Sequence, residues 1–265
     1  LKKRQLEQAY EKQQKEIAQL EDFVARNKAR AATSTLARSR QRKLDKMDVI
    51  ELAKEKPKPS FEFKYSRAPG KVVIRGTDLV LGYDSALTKP VNFEVERGQK
   101  IAIKGVNGLG KSTLLKTMLG IIPAFGGSVE LDYLAQPAYF EQEHIGSSKT
   151  ALYEIWDMYP SMTNAGVRGA LARCGLTSQH IETQCRVLSG GENAKVRLCA
   201  IMLKEMNLLV LDEPTNHLDV EAKESLKNAI RDFKGTVILV SHEPEFYEDI
   251  VTDIWNLEDW TTKIV

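Results

Sequence analysis

No stretch of this 265-residue sequence approaches the run of about 20 apolar residues that a membrane-crossing helix needs, and no N-terminal segment reads as a signal peptide. Membrane insertion is therefore not expected. Cysteine is scarce, and Cys174, Cys185 and Cys199 share neither a C-x-x-C nor a metal-ligand spacing. An odd number of thiols without a secretory signal points to reduced cysteines in a cytoplasmic setting, each filling a small core position. Leu1 stands where an initiator methionine would, so the sequence is expected to be a piece of a longer chain. Hydrophobic residues at 42% and charged residues at 28% fit a globular protein with one large domain and an appendage.

Acidic residues vanish from one window. Between Phe23 and Leu44 the chain carries Arg26, Lys28, Arg30, Arg38, Arg40, Arg42 and Lys43 but no Asp or Glu. Residues 1–60 hold 16 basic and 9 acidic side chains of totals of 38 and 36, so this segment carries +7 and the remainder −5. Before the window, Leu6, Tyr10, Gln13, Ile17, Leu20 and Val24 succeed one another at spacings of 4, 3, 4, 3 and 4. That is a coiled-coil seam with a polar interruption at Gln13, on a helix about 30–36 Å long. A second run with Leu36, Leu44, Met47 and Ile50 is predicted to fold back antiparallel, turning within 27–34 with Thr33 or Ser34 as its cap. A solvated helical surface accounts for most charge runs, but such a surface normally mixes signs. Arginine supplies five of the seven cations here, and its planar fork suits phosphate. The window is read as a nucleic-acid contact, with RNA or DNA left open by charge alone. Residues 53–60 form a Pro/Lys linker that continues neither helix nor sheet.

The stretch Gly105-Val106-Asn107-Gly108-Leu109-Gly110-Lys111-Ser112-Thr113 fits the phosphate-loop pattern G-x-x-x-x-G-K-[ST] without mismatch. Ile101-Ala102-Ile103 reads as the strand before it and 114–119 as the helix after it. Glycines let several backbone N–H groups converge on one phosphate, and the helix N-terminus adds partial positive charge. Lys111 can reach the outer phosphates and Ser112 can ligate Mg²⁺. Nucleoside triphosphate binding is implied by this stretch alone. Around it, Phe61–Phe63, Val72–Ile74, Leu79–Tyr83 and Val91–Val95 alternate as short strands of an antiparallel sheet. Tyr83, 28 residues before Lys111, is either a base-stacking aromatic or a half-buried strand-end tyrosine.

Further along, 126–131 reads as a turn and strand, and the lone Gln142 gains meaning only beside the motifs nearer the C-terminus. Residues 150–206 are helical in pattern, interrupted at Pro160, Gly175 and Leu188-Ser189-Gly190-Gly191-Glu192. The last of these opens a long helix with bare amides, either an anion site or an ordinary cap. Leu208–Leu211 is a buried strand ending in Asp212-Glu213. Asp212 suits a second Mg²⁺ anchor, and Glu213 can orient and deprotonate a water. Val237–Val240 is another buried strand, ending in Ser241-His242. Taken alone, each of His144, His180, His217 and His242 has a structural explanation. Three strand ends carrying Lys111, Asp212-Glu213 and His242 obey the strand-edge rule for ligand sites of α/β sheets.

Together Gly105–Ser112, Gln142, Leu188–Glu192, Leu211-Asp212-Glu213-Pro214-Thr215-Asn216-His217-Leu218-Asp219 and Ser241-His242 resemble the ATP-binding-cassette ATPases in order and spacing over roughly 61–260. Glu192 in place of the usual transporter Gln, Asn216–Asp219 after the acidic pair, and the basic hairpin make the chain look like the ABC-F translation factors. The resemblance implies an α/β P-loop cassette over 61–265, with an antiparallel β subdomain and a helical subdomain at about 148–206. An antiparallel helical hairpin over 1–52 would precede it as an interdomain linker. ATP and Mg²⁺ would be the cofactors. Tyr83 would stack on adenine, while Gly105, Asn107, Gly108, Gly110, Lys111 and Thr113 would hold the phosphates. Ser112, Asp212 and Gln142 would address Mg²⁺, Glu213 would be the general base, and His242 would touch the γ-phosphate. Ser189, Gly190 and Gly191 would complete the site of an opposing cassette, with Asp219 at the seam. A second cassette, in cis in the full-length protein or in another copy of this chain, is thus implied for efficient hydrolysis. The ribosome, through rRNA or tRNA, is the implied partner of the arm. Glu243 departs from the pattern, since many relatives have Asp after the His, and this leaves the subgroup open. The alternative is the ATPase subunit of a membrane transporter, which leaves the basic hairpin unexplained. A chromosome-maintenance ATPase is excluded, because only 101 positions separate Lys111 from Asp212.

Overall fold

Helix α1 (Lys2–Asn27) follows the apolar spacing of its sequence, and α2 (Ser34–Asp45) packs against it. The structure is a computed structural model that describes residues 2–27, 34–45, 47, 58–142 and 146–261. Two compact units result, 1–55 and 56–265. On α1, Val24 is buried and Gln13, Ile17 and Leu20 are half-buried, while Lys12, Lys15, Glu16 and Gln19 are exposed. Lys43 Nζ donates to Glu16 Oε1 at 2.6 Å, and the Arg40 guanidinium lies 3.6 Å from the centroid of the Phe23 ring. Later residues of α2 meet earlier residues of α1, so the pair is antiparallel. Helix α2 stops before Met47, and Ser34 is its first residue rather than its cap. Thr33, Ile50 and the turn at 28–33 lie outside the described residues.

In the second unit β1 (Lys64–Tyr65) is followed by β2 (Val72–Val80), β3 (Val91–Glu96), β4 (Lys100–Lys104), α3 (Lys111–Met118), β5 (Gly126–Leu131) and β6 (Pro137–Phe140). Then come α4 (Ala151–Met158), α5 (Asn164–Arg173), α6 (Ser178–Glu182) and α7 (Gly190–Leu203). The chain continues through β7 (Glu205–Met206), β8 (Leu208–Asp212), α8 (Val220–Asp232), β9 (Thr236–Val240), α9 (Pro244–Tyr247) and β10 (Asp253–Asn256). A parallel five-stranded sheet has the order β10-β4-β9-β8-β6, and an antiparallel three-stranded sheet has the order β3-β2-β5.

The parallel sheet is apolar on both faces, as its unbroken hydrophobic runs require. Leu209, Leu211, Val237 and Leu239 point into one core, shared with α4, α5, α7 and α8. Their neighbours Leu208, Val210, Ile238 and Val240 point into a second core with α3 and the antiparallel sheet. Each such fully buried side chain contributes about 1.5–3 kcal/mol. Parallel strands place all their C-terminal ends on one edge, so the segments after β4, β8 and β9 meet there. The three cysteines are free and buried.

Two expectations change. Phe61–Phe63 joins no sheet: Ser60 N donates to Arg173 O and Phe61 N to Ser225 Oγ, and both phenylalanines sink into the helical core. Only β1 pairs, with β7, because burying two aromatic rings against α5 and α8 outweighs alternation as a signal. Val72–Ile74 and Leu79–Val80 are not separate strands but one, irregular in its pairing between Gly76 and Leu79, where Asp78 takes φ 45°.

One buried polar residue joins the layers. Asn207 Nδ2 donates to Arg67 O and Leu134 O, both at 2.9 Å, and its Oδ1 accepts from Gln136 N at 2.7 Å. Asn207→Leu strands these three groups, each costing about 1–3 kcal/mol when left unpartnered. The variant is expected to lose on the order of 3 kcal/mol, seen as a lower urea midpoint. Tryptophan emission is the appropriate probe, because Trp156, Trp255 and Trp260 all lie in the second unit.

Candidate nucleotide site

Strand β4 ends at Lys104 and α3 begins at Lys111, so the glycine-rich stretch is the turn between a buried strand and a helix N-terminus. Gly110 is the N-cap of α3 with φ 95°, a left-handed conformation that side chains rarely adopt, and no side chain caps the helix. Its first amides are thereby left for an anion. Tyr83, Asn107, Lys111, Ser112, Gln142 and Glu213 line one cavity of about 410 Å³. Tyr83 is 63% exposed, which fits a ring offered to a ligand better than a half-buried strand end. Ser189, Gly190 and Gly191 are not among the residues lining this cavity.

Lys111 Nζ donates to Gly105 O at 2.9 Å and to Val106 O and Asn107 Oδ1 at 3.2 Å. Its ammonium is folded onto its own loop. Burial lowers its pKa, opposed by the charges of Glu213 and Asp212. Asp212 is 1% exposed, and burial raises its pKa. Tyr139 Oη reaches Asp212 Oδ2 at 3.4 Å, whereas Oδ1 is buried without a hydrogen bond. An orphaned carboxylate oxygen close to the Ser112 hydroxyl is the donor set of a hard cation. Among the described residues, no group of three or more His, Cys, Asp or Glu could hold a metal ion. A cation here would draw its remaining ligands from phosphates and water.

Glu213 takes φ 48°, strained for a residue with a side chain, directly beyond β8. Its side chain is only 11% exposed and fully engaged. Oε1 lies 3.1 Å from His242 Nε2, while Oε2 accepts from Gln142 Nε2 at 3.0 Å and Asn216 Nδ2 at 2.7 Å. The sequence motifs place Gln142, Asp212, Glu213 and His242 as one group, and the structure brings them together.

The Ser-Gly-Gly element faces elsewhere. Ser189 caps α7 in a reciprocal box with Glu192, which also meets His180 Nε2 at 3.2 Å. A Cβ on Gly191 would stand 2.4 Å from His217 O, so only glycine fits there. Asp219 caps α8 through Oδ1 and accepts from Lys195 Nζ at 2.6 Å through Oδ2.

Sequence reasoning missed several partners. Tyr139 on Asp212, Asn216 on Glu213 and the pair Lys116–Glu141 at 2.5 Å beside Gln142 depend on which strands are neighbours, and that order is not local in sequence. The arm is also less free than expected. Arg26 pairs with Asp22 at 2.9 Å, Lys43 pairs with Glu16, and Arg40 stacks on Phe23. The acids come from outside the acid-free window, one or more turns back along α1. Arg42 is exposed, Arg38 lies on α2, and Lys28, Arg30 and His144 are outside the described residues.

Two family models, each described as ABC transporter, match residues 88–216 and 1–63. Over 266 residues the chain is 58% identical to "Uncharacterized ABC transporter ATP-binding protein YfmM" of Bacillus subtilis, covering all of this chain and 51% of that protein. It is 38% identical over 261 residues to "ABC transporter F family member 5" of Arabidopsis thaliana, covering 95% of this chain and 37% of that one. The chain thus spans about half or less of the curated relatives it matches. Among solved structures, the ATP-binding cassette MJ0796, a dimeric post-hydrolysis state bound to ADP and Pi, superposes with a TM-score of 0.60 at 19% identity. That likeness covers 69% of this chain and 94% of that one, and concerns the fold. No helix among the described residues is long and apolar enough to cross a membrane. With its phosphate loop, its two-faced parallel sheet and these matches, the chain belongs to the ATP-binding-cassette family of ATPases.

Proposed function

We propose that this chain hydrolyses MgATP in the 410 Å³ cavity, as one half of a two-cassette machine whose basic arm touches ribosomal RNA or tRNA. The observation that carries the chemistry is the convergence of Gln142, Asn216 and His242 on Glu213 at the mouth of the phosphate loop. Glu213 takes the proton of the attacking water. Lys111 exchanges its loop carbonyls for phosphate oxygens, and His242 contacts the γ-phosphate. Mg²⁺, held by Asp212 and Ser112, supplies neutralisation of the charge that gathers on the phosphates. Tyr83 stacks on the base.

One chain carries one phosphate loop and one Ser-Gly-Gly element, and the latter packs on His217, away from its own cavity. Another copy, or a cassette in a longer parent chain, supplies the missing half. For the arm, the support is Arg42, exposed within the acid-free window, and the likeness to an F family member. The transporter reading leaves that arm without a purpose.

ATPase activity is expected to climb more than linearly with protein concentration, and a strictly proportional dependence refutes the pairing. Glu213→Gln is expected to keep ATP affinity, lower turnover about 10²–10³-fold and shift the chain to a dimer in size-exclusion chromatography with ATP. Wild-type turnover in that variant would remove Glu213 as the base.

Asp212 gives a pH-linked expectation. Its native pKa is raised by burial, so stability is intact below the unfolded carboxyl's range and falls as pH rises toward the native value. At neutral pH the cost is constant. Asp212→Asn removes it, so the nucleotide-free melting temperature is expected to rise by a few degrees. The further stabilisation that Mg²⁺ adds to ATP should disappear in the same variant.

Co-sedimentation with ribosomes tests the arm. Glu213→Gln with ATP should bind in a manner weakened by salt and lost with residues 1–58. Equal sedimentation with and without the arm would refute this part.

A further inference from the structure

The turn that carries His242 is not held by its own strand alone. Glu243 follows it, and both carboxylate oxygens accept from Lys223 Nζ on α8, at 2.7 and 2.8 Å. Thr215, itself buried in the loop after Glu213, lies beside the same carboxylate and with Lys223 favours its charge. Glu243 N donates to Ser241 Oγ at 3.1 Å, which fixes the turn at its other end. Burial works against the Glu243 charge, but Lys223 and Thr215 prevail and hold its carboxyl below the usual carboxylate range.

We infer that Glu243 is a positioning residue for hydrolysis, bracing the His242 turn against the Glu213 loop and α8 so that imidazole and carboxylate stay 3.1 Å apart. Only His242 would contact the nucleotide; Glu243 acts through it. Three elements are joined by this one side chain: the end of β9, the loop opening at Glu213, and the second turn of α8. A carboxylate held between side chains on different segments fixes a direction as well as a distance. Glutamate is the length that fits here, since a shorter side chain reaching Lys223 must pull the turn toward α8. Lys223 and Thr215 are therefore part of the same brace, although neither lines the nucleotide cavity.

The inference rests on the reading of Glu213 and His242 as the hydrolytic pair, and the experiment separates the two. Turnover and equilibrium affinity for a fluorescent ATP analogue are measured for the whole chain, at concentrations where activity per molecule has levelled off. The variants are His242→Ala, Glu243→Ala, Glu243→Asp, Lys223→Ala, Lys223→Ala with Glu243→Ala, and the exchange Lys223→Glu with Glu243→Lys. Glu243→Ala and Lys223→Ala should each lower kcat about tenfold with nucleotide affinity within about twofold, and the double alanine variant should be no worse than either. The charge exchange should recover kcat well above the single variants, a rescue that general destabilisation does not produce. Glu243→Asp should fall between wild type and Glu243→Ala. Unchanged kcat in the single variants, additive losses, or an exchange no better than its parents overturns the brace. If His242→Ala itself turns over normally, the site reading fails and the brace with it. If only the Glu243 and Lys223 variants are silent, the brace alone fails.

Discussion

Everything in the second unit converges on keeping a carboxylate at the end of a strand that water cannot reach from either side. Strand β8 is apolar along both faces, and its last residue, Asp212, is 1% exposed with one oxygen lacking any partner. A buried carboxylate with so few hydrogen bonds is among the more costly features a fold can hold. It persists because the surrounding strands are locked by two separate cores, so the chain cannot relax to expose it. Glu213, one position on, meets the opposite fate. It accepts from Gln142 after β6 and from Asn216 in its own loop, and His242 after β9 lies 3.1 Å from its other oxygen. The adjacent carboxylates thus sit in opposite surroundings, one with few partners and the other ringed by three side chains.

The strained backbone at Glu213 belongs to the same logic. A residue with φ 48° costs about 1–3 kcal/mol relative to an ordinary turn. Its amide donates to Val240 O at 3.0 Å, which ties the strained turn to the end of β9. A relaxed turn would swing the carboxylate away from Gln142 and His242. The cost is thus spread over contacts from three chain segments, none of which is large alone.

Much of the site is legible in sequence, because the informative signals are local. A phosphate loop needs glycines, lysine and a hydroxyl within nine residues, and the buried strands announce themselves by runs such as Leu208–Leu211. Lys111, Ser112, Gln142 and Glu213, all marked by motif, line the cavity at the strand edge. The features that stay hidden in sequence depend on neighbours in space. Tyr139 reaches Asp212 only because β6 lies beside β8, and Phe61 joins no sheet but is buried in the core that the helices share. The arm shows the same limit. An acid-free window looks unneutralised in sequence, yet one turn of helix brings Asp22 to Arg26, and the antiparallel return brings Glu16 to Lys43. Window counts ignore the acids that helix geometry carries in from outside.

The segment 213–219 shows why the two ends of the cassette are not independent parts. Within seven residues it holds Glu213, the Asn216 amide that donates to it, and Thr215, buried beside Glu243. It also holds His217, at φ 66° and so close to Gly191 that no side chain fits between them, and Asp219, paired with buried Lys195 of α7. Steric contact at Gly191 and an ion pair at Lys195 are both stiff constraints, and they lie about one turn apart on α7. A displacement of the Ser-Gly-Gly helix therefore cannot leave the loop where it was. If α7 moves when it meets a nucleotide on another cassette, the movement reaches the residue that carries Asn216, and Asn216 carries Glu213. Glycine at 191 is what permits this close approach, and with it the coupling.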